Sequence, residues 1–336
     1  MSGNQAPRNR LPAIGITIGD AAGIGPEIVL KALAAQPSPK TFRPVVICDE
    51  RFLRSHAAQL SLTLGDSVEI VDLANLSSKV LAGEESADTG RASGEYIEKA
   101  VELWRNGSID AVATAPISKK ALNAGGYDFP GHTEFLAALT DTKEFAMSFF
   151  AEKLRVVLLS THLPILDAID LVRKDKLVDL ITFTQLQMSR LLNRPVRIAV
   201  AGLNPHASEG GMFGSQEADE ITPAIDHCRE NLGIDVSGPF SPDTIFLRGF
   251  RGEFDAVVAC YHDQATIAVK SLSFGSAVNV TLGLPLIRTS VDHGTAVDIA
   301  GKNIADPSSM SAAIALAAEL ASVHRSATPE VRKGED

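Results

Sequence analysis

Three of the eight histidines in the chain stand just after apolar segments that are typical of buried strands. His162 follows RVVLLST, His206 follows VRIAVAGL, and His262 follows DAVVACY. The ends of parallel strands lie along one edge of a sheet, so side chains distant in sequence can meet there. Three neutral imidazoles can hold a catalytic divalent metal and leave positions open for a substrate. The pattern therefore indicates a metal site, and strand-end histidines bonded to the backbone are the alternative.

Two carboxylates, Glu209 and Asp263, stand beside two of these histidines in NPHASEGG and YHDQ. A carboxylate that accepts a hydrogen bond from a ligating histidine fixes the orientation of the ring. Either residue could serve in that way, and a solvated surface carboxylate is the alternative for both.

A second set of residues is suited to binding an anion. In DFPGHTEFLA, His132 and Thr133 open a predicted helix, whose first backbone N–H groups favour negative charge. A plain helix cap by Thr133 is the alternative. Farther along, Lys270, Asn279 and Arg288 alternate with apolar segments. A buried Arg288 needs a carboxylate or phosphate partner, which a substrate or an internal Asp could supply.

Two glycine-containing loops are candidates for binding a phosphate or a dinucleotide. GDAAGIGPE follows a strand, but Ile28 occupies the last glycine position of the dinucleotide fingerprint and the segment has no P-loop lysine. A structural turn is therefore an equal alternative. SVDHGTAVDIAGKNIADP predicts a loop and a short helix whose Asp298 could meet a ribose hydroxyl. A helix-capping loop is the alternative there.

These residues need a framework of strands and helices to position them. Helical patterns separate the strand-like runs, for example SGEYIEKAVELWRNG, where Ser93 is the expected cap, and DKLVDLITFTQLQMSRLLN. This alternation favours an α/β protein rich in parallel strands. The strand-like runs are PAIGITI, PVVIC, VEIVD, DAVATA, RVVLLST, VRIAVAGL, DAVVACY and AVNVTL.

The composition is that of a folded protein: of 336 residues, 45% are hydrophobic and 21% are charged. This length predicts a large core divided between two lobes. The formal net charge of -10, with no run of Lys or Arg, argues against a general nucleic-acid binder, because phosphate contacts favour basic surfaces. The three cysteines have no metal-type spacing, and their odd number predicts reduced thiols rather than a disulfide framework.

Neither a signal peptide nor a membrane span is expected. The segment MSGNQAPRNR, residues 1–10, is polar and predicts a flexible tail without the apolar region of a signal peptide. The longest apolar helical segment, SAAIALAAELA, is short and contains Glu319, so it does not predict a membrane-spanning helix. Together these features predict a cytoplasmic protein.

Taken together, the motifs resemble the 4-hydroxythreonine-4-phosphate dehydrogenase family of pyridoxal phosphate biosynthesis, including its 4-phosphothreonate dehydrogenase-like branch. HGTAVDIAGKNIADP is also similar to the adenosine-binding loop of isopropylmalate dehydrogenases, a group that binds its dinucleotide without a Rossmann fingerprint. The segments that carry the resemblance are GDAAGIGPE, TAPISKKAL, GHTEFLA, STHLP, GLNPHASEGG, SPDTIF, YHDQ and NVTLGLPLIRTSVDHGTAVDIAG.

The resemblance implies an α/β fold of the two-lobed isocitrate/isopropylmalate dehydrogenase type, not a Rossmann domain. Residues 11–336 would form one catalytic unit, with a boundary between lobes that the sequence does not locate. The resemblance also implies a homodimer whose active sites lie between lobes and between subunits.

The resemblance assigns roles residue by residue. It makes three histidines the ligands of a divalent metal, for which imidazole favours Zn2+ and allows Mg2+, Co2+ or Mn2+. Lys270 is also a candidate proton donor or base. The implied metal ligands are His162, His206 and His262; the substrate contacts are His132, Thr133, Lys270, Asn279 and Arg288; the NAD contacts are His293, Gly294 and Asp298.

The implied reaction is the metal-dependent, NAD-linked oxidation of the C3 hydroxyl of 4-hydroxythreonine 4-phosphate, with decarboxylation to 3-amino-2-oxopropyl phosphate. Alternative substrates are a 4-phosphothreonate or 4-phosphoerythronate type acid and an aromatic cis-dihydrodiol carboxylate. A metal-dependent aldolase or hydrolase, and a non-catalytic phosphometabolite-binding protein, are the alternatives from other classes.

The chain departs from the family at Ala21, Ala265 and Ala268, where Pro, Gly and Pro are usual, and the last two changes are expected to loosen the backbone beside Lys270.

Overall fold

The computed structural model of the protein describes residues 10–35, 41–77, 79–273 and 275–327. Of the tail predicted over residues 1–10, all but Arg10 lies outside the described residues. Within the described ranges, eleven strands form one sheet. The strands are β1 (Ala13–Thr17), β2 (Arg43–Cys48), β3 (Glu69–Asp72), β4 (Ala111–Thr114), β5 (Ala146–Ala151), β6 (Leu154–Leu158), β7 (Ile198–Ala201), β8 (Val236–Phe240), β9 (Ala256–Ala259), β10 (Val278–Leu282) and β11 (Ile287–Ser290).

Helices connect most of the strands. A left-handed turn, Pro205–Gly211, and a π-helical turn, Glu217–Ile221, follow β7. The α-helices are α1 (Gly25–Ala34), α2 (Glu50–Gln59), α3 (Ala87–Arg105), α4 (Lys119–Ala124), α5 (His132–Leu139), α6 (Ile165–Asp170), α7 (Lys174–Leu192), α8 (Thr222–Leu232), α9 (Pro242–Phe250), α10 (His262–Leu272) and α11 (Ser308–Ala327).

The strand order is β3-β2-β1-β4-β11-β10-β5-β6-β9-β7-β8. The first five strands in this order are parallel to one another, and so are the last four. Between them, β10 is antiparallel to both of its neighbours, and β5 is antiparallel to β6. The two parallel parts therefore run in opposite directions, and the direction changes in the middle of the sheet.

The core explains why four of the parallel strands are largely apolar. β1, β4, β7 and β9 are buried along their whole length, as expected when helices cover both faces of a parallel sheet. One large hydrophobic cluster surrounds the part of the sheet that contains β1, and two further clusters surround the part that contains β7. The three cysteines are buried and free, as predicted.

The mixed α/β class and all eight predicted strand segments are confirmed, whereas β5, β8 and β11 were not predicted. The cap predicted at Ser93 is wrong. α3 begins earlier, because Ser86 and Thr89 form a capping box, and the Ser93 hydroxyl donates inside the helix to the Gly90 carbonyl. The two-lobed description stays a prediction, since one sheet runs through the described chain.

Two further expectations concern helices. The loosening expected beside Lys270 is wrong, because α10 continues through Ala265 and Ala268 to Leu272 and alanine is the best helix former. Among the residues that the structure describes, none of the helices combines the length and apolar character that a membrane crossing requires.

Candidate active site

A cleft of about 830 Å3 borders the middle strands of the sheet, where the strand direction changes. Ligands of α/β proteins commonly bind at such a change in topology. Nine of the eleven predicted site residues line this cleft, whereas His206 and Asp298 do not. The nine are His132, Thr133, His162, His262, Lys270, Asn279, Arg288, His293 and Gly294.

Arg288 on β11 is a buried cation whose side chain is bracketed by hydroxyl groups. Its Nε and Nη2 donate to Thr114 Oγ1 at 3.2 and 2.9 Å, and its Nη1 donates to Thr281 Oγ1 at 3.1 Å. The guanidinium contacts no carboxylate within the described part of the chain, although the charge of Glu134 acts on it. Burial lowers the pKa of Arg288 to about 10, so the group is still charged at neutral pH. An unneutralised buried charge is costly unless a ligand pairs with it.

Two buried polar atoms beside Arg288 also lack partners. His132 Nε2 and Asn279 Oδ1 are buried, and neither forms a hydrogen bond to any residue in the described ranges. Burial, together with the charge of Arg288, holds the pKa of His132 well below its usual value, so the ring is neutral. Buried atoms of this kind are normally satisfied in native proteins. A bound ligand would satisfy both.

Thr133 does not cap α5. The N-cap position is Gly131, which has no side chain, and Thr133 Oγ1 instead lies 3.5 Å from Thr281 Oγ1. Thr133 therefore connects the first turn of α5 to the hydroxyl that contacts Arg288. The alternative of a plain cap by Thr133 is excluded.

One face of α10 borders the cleft. His262, Thr266 and Lys270 are spaced four residues apart, which places them on the same side of a helix, and all three line the cleft. Lys270 Nζ lies 3.9 Å from Asp292 Oδ2 and is about half exposed. An amine in this position can contact an anion or exchange a proton with a ligand.

His162 and His262 form a pair in the cleft. They follow β6 and β9, which are adjacent parallel strands, and their ring centroids lie 5.6 Å apart. His262 Nδ1 bonds Asp263 Oδ1 at 2.7 Å, which leaves Nε2 free. A carboxylate bonded to the second ring nitrogen is typical of metal-ligating histidines. The Asp263 carboxylate thus contacts the His262 ring, although its side chain is 71% exposed, as in the alternative of a surface carboxylate.

His206 lies away from this pair. It is exposed in the turn Pro205–Gly211, and Phe213 is the aromatic ring beside it, at 6.4 Å between centroids. The structure therefore brings two of the three predicted ligands together. Within the described residues of one chain, no three His, Cys, Asp or Glu side chains are arranged to hold a metal.

The backbone explains why His206 projects outward. Four consecutive residues that are not glycine, His206–Glu209, have φ values of 53°, 51°, 68° and 42°. The left-handed region costs roughly 1–2 kcal/mol per residue, and such strain is concentrated at functional sites. Surrounding contacts must therefore hold this turn in place.

Glu217, which sequence reasoning missed, is one of the contacts that hold the turn. Its carboxylate is buried, with Oε1 accepting from the backbone N–H groups of Leu203 and Asn204 at 2.8 and 2.7 Å, and Oε2 accepting from Asn204 Nδ2 at 2.8 Å. Glu217 begins the π-helical turn, a rare element that is frequent at functional sites. The sequence EADEI carries no motif that would have identified this carboxylate.

The glycine-rich segment at residues 19–27 is a structural turn. Every residue in it is buried, and a Cβ at Gly25 would collide with the carbonyl of Ile18. Ile24 N–H donates to the Thr295 carbonyl at 2.9 Å, so the segment supports the loop that contains His293 and Gly294. Asp298 lies on the same loop, exposed and in a turn rather than in the predicted short helix.

The fold and the cleft define an α/β protein with a binding site for a small anionic molecule. The site presents a buried cation, an amine, an amide oxygen, a neutral imidazole and a pair of further imidazoles. These are groups that bind and activate a small polar substrate.

The chain belongs to the family of the pyridoxal phosphate biosynthetic protein PdxA, whose model matches residues 40–317. A D-threonate 4-phosphate dehydrogenase from Cupriavidus necator is 46% identical over 326 residues, which cover 93% of this chain and 98% of that protein. A 4-hydroxythreonine-4-phosphate dehydrogenase from Desulforapulum autotrophicum is 43% identical, covering 93% and 96%. The crystal structure of a 4-hydroxythreonine-4-phosphate dehydrogenase from Burkholderia phymatum has a TM-score of 0.80 at 43% identity, covering 93% and 99%. The family resemblance inferred from the motifs is confirmed.

Proposed function

We propose that this chain is a metal-dependent, NAD-linked dehydrogenase. It oxidises the C3 hydroxyl of a four-carbon acid that carries a phosphate on C4, and the resulting 3-keto acid loses its carboxylate as CO2. The observation that carries the proposal is the buried Arg288, which forms no ion pair with the described residues. In the same cleft, His132 Nε2 and Asn279 Oδ1 are buried without a hydrogen bond to any of those residues. The names of the relatives support this substrate class.

The chain's own groups bind and orient the substrate. Arg288 pairs with an anionic group of the substrate through charge-assisted hydrogen bonds. Asn279 Oδ1 accepts a hydrogen bond from a substrate donor, and the neutral ring of His132 bonds through Nε2. Lys270 Nζ, held near Asp292, contacts an anion or delivers the proton that C2 requires after CO2 has left.

The residues present fit a divalent metal as two of its three protein ligands. His162 and His262 are adjacent, and Asp263 orients one of them. The third ligand would be His206 from a second copy of the chain, since His206 lies away from the pair in its own chain. When bound, the metal supplies Lewis acidity to the substrate hydroxyl, and NAD accepts the hydride. Zn2+ is the first candidate, with Mg2+, Co2+ or Mn2+ as alternatives.

Exposed apolar side chains next to the histidines support a homodimer with a shared active site. Met212 and Phe213, near His206, are 75% and 45% exposed, and Leu166, just after His162, is 73% exposed. Large apolar side chains exposed on two loops, each beside a predicted metal ligand, are the kind of surface that a second chain would cover. A second copy that covers both loops would exclude water from the metal site.

The NAD contacts remain those of the resemblance. His293 and Gly294 border the cleft, and Asp298 stands farther along the same exposed loop. A dinucleotide whose nicotinamide enters the cleft would place its adenosine along this loop, within reach of Asp298.

Two substrates must be compared directly, because one relative is named for D-threonate 4-phosphate and another for 4-hydroxythreonine 4-phosphate. 4-Hydroxythreonine 4-phosphate has an ammonium group on C2 and would yield 3-amino-2-oxopropyl phosphate. D-threonate 4-phosphate has a hydroxyl there and would yield the corresponding hydroxyketone phosphate. Because a relative at 46% identity is named for the second substrate, we treat the two substrates as equal candidates.

The test is NADH formation from a panel of acids with purified protein, NAD and each candidate metal. The panel contains both substrates, a 4-phosphoerythronate and an aromatic cis-dihydrodiol carboxylate. We expect metal-dependent NADH formation with at least one phosphorylated acid and none with the dihydrodiol carboxylate. Turnover of a phosphorylated acid without NAD would indicate an aldolase or hydrolase, and absence of turnover throughout would contradict an enzymatic role on these acids.

A further inference from the structure

The hydroxyl groups that bracket Arg288 do not themselves reach the cleft. Thr114 is fully buried at the end of β4, and Thr281 is buried on β10. Neither is among the residues that line the cleft, whereas Arg288 is. These threonines therefore do not contact a ligand in the cleft directly. Thr114 acts on it through Arg288, and Thr281 acts through Arg288 or through Thr133, whose Oγ1 lies 3.5 Å from its own.

We propose that Thr114 and Thr281 are positioning residues, which fix the guanidinium of Arg288 in one orientation while leaving its charge for the substrate anion. This inference rests on the proposed function, in which Arg288 binds that anion. The two threonine hydroxyls, called the bracket below, accept hydrogen bonds from Arg288 without neutralising it.

The sheet register puts the bracket in place. β4, β11 and β10 are neighbours, and the pairings Ser290 with Thr114 and Asn279 with Ser290 bring residues of three strands together on one face. Arg288 lies two residues before Ser290 on that face, between Thr114 on one side and Thr281 on the other. A bracket made by three paired strands is more rigid than one made by a loop.

The bracket leaves two N–H groups of the Arg288 guanidinium available to a ligand. A guanidinium has five N–H groups, and three of them donate to the two threonine hydroxyls. One N–H on each terminal nitrogen remains. Two N–H groups on neighbouring nitrogens match the two oxygens of a phosphate or carboxylate.

The chemistry of the hydroxyl matters as much as its place. Thr114 Oγ1 lies 3.4 Å from the Thr289 carbonyl, so its own hydrogen is directed there and its lone pairs accept from Arg288. A carboxylate at this position would neutralise the arginine internally. A methyl group in place of the hydroxyl would leave the N–H groups of Arg288 unsatisfied and the arginine side chain free to rotate.

The test measures the binding of inorganic phosphate by calorimetry at fixed ionic strength, with the full-length protein. Thr114→Val, which keeps the shape but removes the hydroxyl, should weaken phosphate binding by about tenfold or more, the usual effect of losing a hydrogen bond to a charged group. Thr114→Ser should stay within about threefold of the wild type. Thr114→Asp should abolish binding, because the new carboxylate pairs with Arg288. In turnover, Thr114→Val should raise KM with little change in kcat.

Melting temperatures separate positioning from folding. If Thr114→Val melts more than about 5 °C below the wild type, Thr281→Val and Thr281→Ser replace the Thr114 pair and should show the same order of affinities. Equal affinities for the Val and Ser variants, or phosphate binding by Thr114→Asp, would overturn the inference.

Arg288→Lys distinguishes this inference from the proposed function. If the lysine variant binds phosphate weakly while Thr114→Val binds it normally, the positioning role is wrong and the anion site stands. If the lysine variant binds phosphate as the wild type does, both the anion site and the positioning role are wrong.

Discussion

Replacing His262 by alanine is expected to remove the divalent metal from the purified protein and to lower kcat on the order of a thousandfold. His262 is one of two adjacent imidazoles, and Asp263 orients its ring so that Nε2 is free to bind. A metal ion contributes several kcal/mol to reactions of this kind, and each 1.36 kcal/mol is a factor of about ten in rate. Metal content by mass spectrometry and NADH formation are the two measurements.

His227→Ala is the matched control for this prediction. His227 lies on α8, is only partly exposed and does not line the cleft. Its loss should change neither metal content nor turnover. A His262→Ala protein that retains the full metal content would show that this histidine is not a ligand.

Replacing Arg288 by lysine is expected to lower kcat/KM for a phosphorylated substrate by about tenfold to a hundredfold. Lysine offers a point charge on a flexible chain, so it cannot contact Thr114, Thr281 and a bidentate anion at the same time. The corresponding substrate without its phosphate should lose much less, because it lacks the partner anion. Steady-state kinetics of both proteins with both substrates measure the difference.

Arg155→Lys provides the control, since Arg155 is a partly buried arginine on β6 that does not line the cleft. It should affect the two substrates equally and only slightly. Equal losses for the two substrates in Arg288→Lys would instead show that Arg288 binds the substrate carboxylate or supports the fold.

The strands that sequence analysis found and missed differ in what they bury. β1, β7 and β9 are continuous apolar runs, so their hydrophobicity alone identified them. β11 has the sequence IRTS, and its Arg288, Thr289 and Ser290 are buried although they are polar. Hydrophobic patterning fails there because the strand contributes polar side chains to the cleft.

The site was predicted where it depends on strand ends and missed where it depends on loop conformation. His162 and His262 follow adjacent strands, and the structure pairs them as the strand-end argument requires. His206 follows β7 at the same edge, but the left-handed turn that begins at His206 directs it away from the pair. Neither that turn nor the buried Glu217 that supports it has a signature in residue types.

A subunit-mixing assay tests most directly whether two copies of the chain share the metal site. Inactive His206→Ala and His262→Ala chains are mixed, subunit exchange is confirmed, and NADH formation is measured. If one chain supplies His162 and His262 and the other supplies His206, half of the dimers are mixed and each has one intact site. Activity should then recover to about a quarter of the wild-type value. Mixing His162→Ala with His262→Ala should restore nothing, because both ligands come from the same chain. Recovery in this second mixture would contradict the pairing of His162 and His262 within one chain. No recovery in the first mixture, with subunit exchange confirmed, would contradict the shared site.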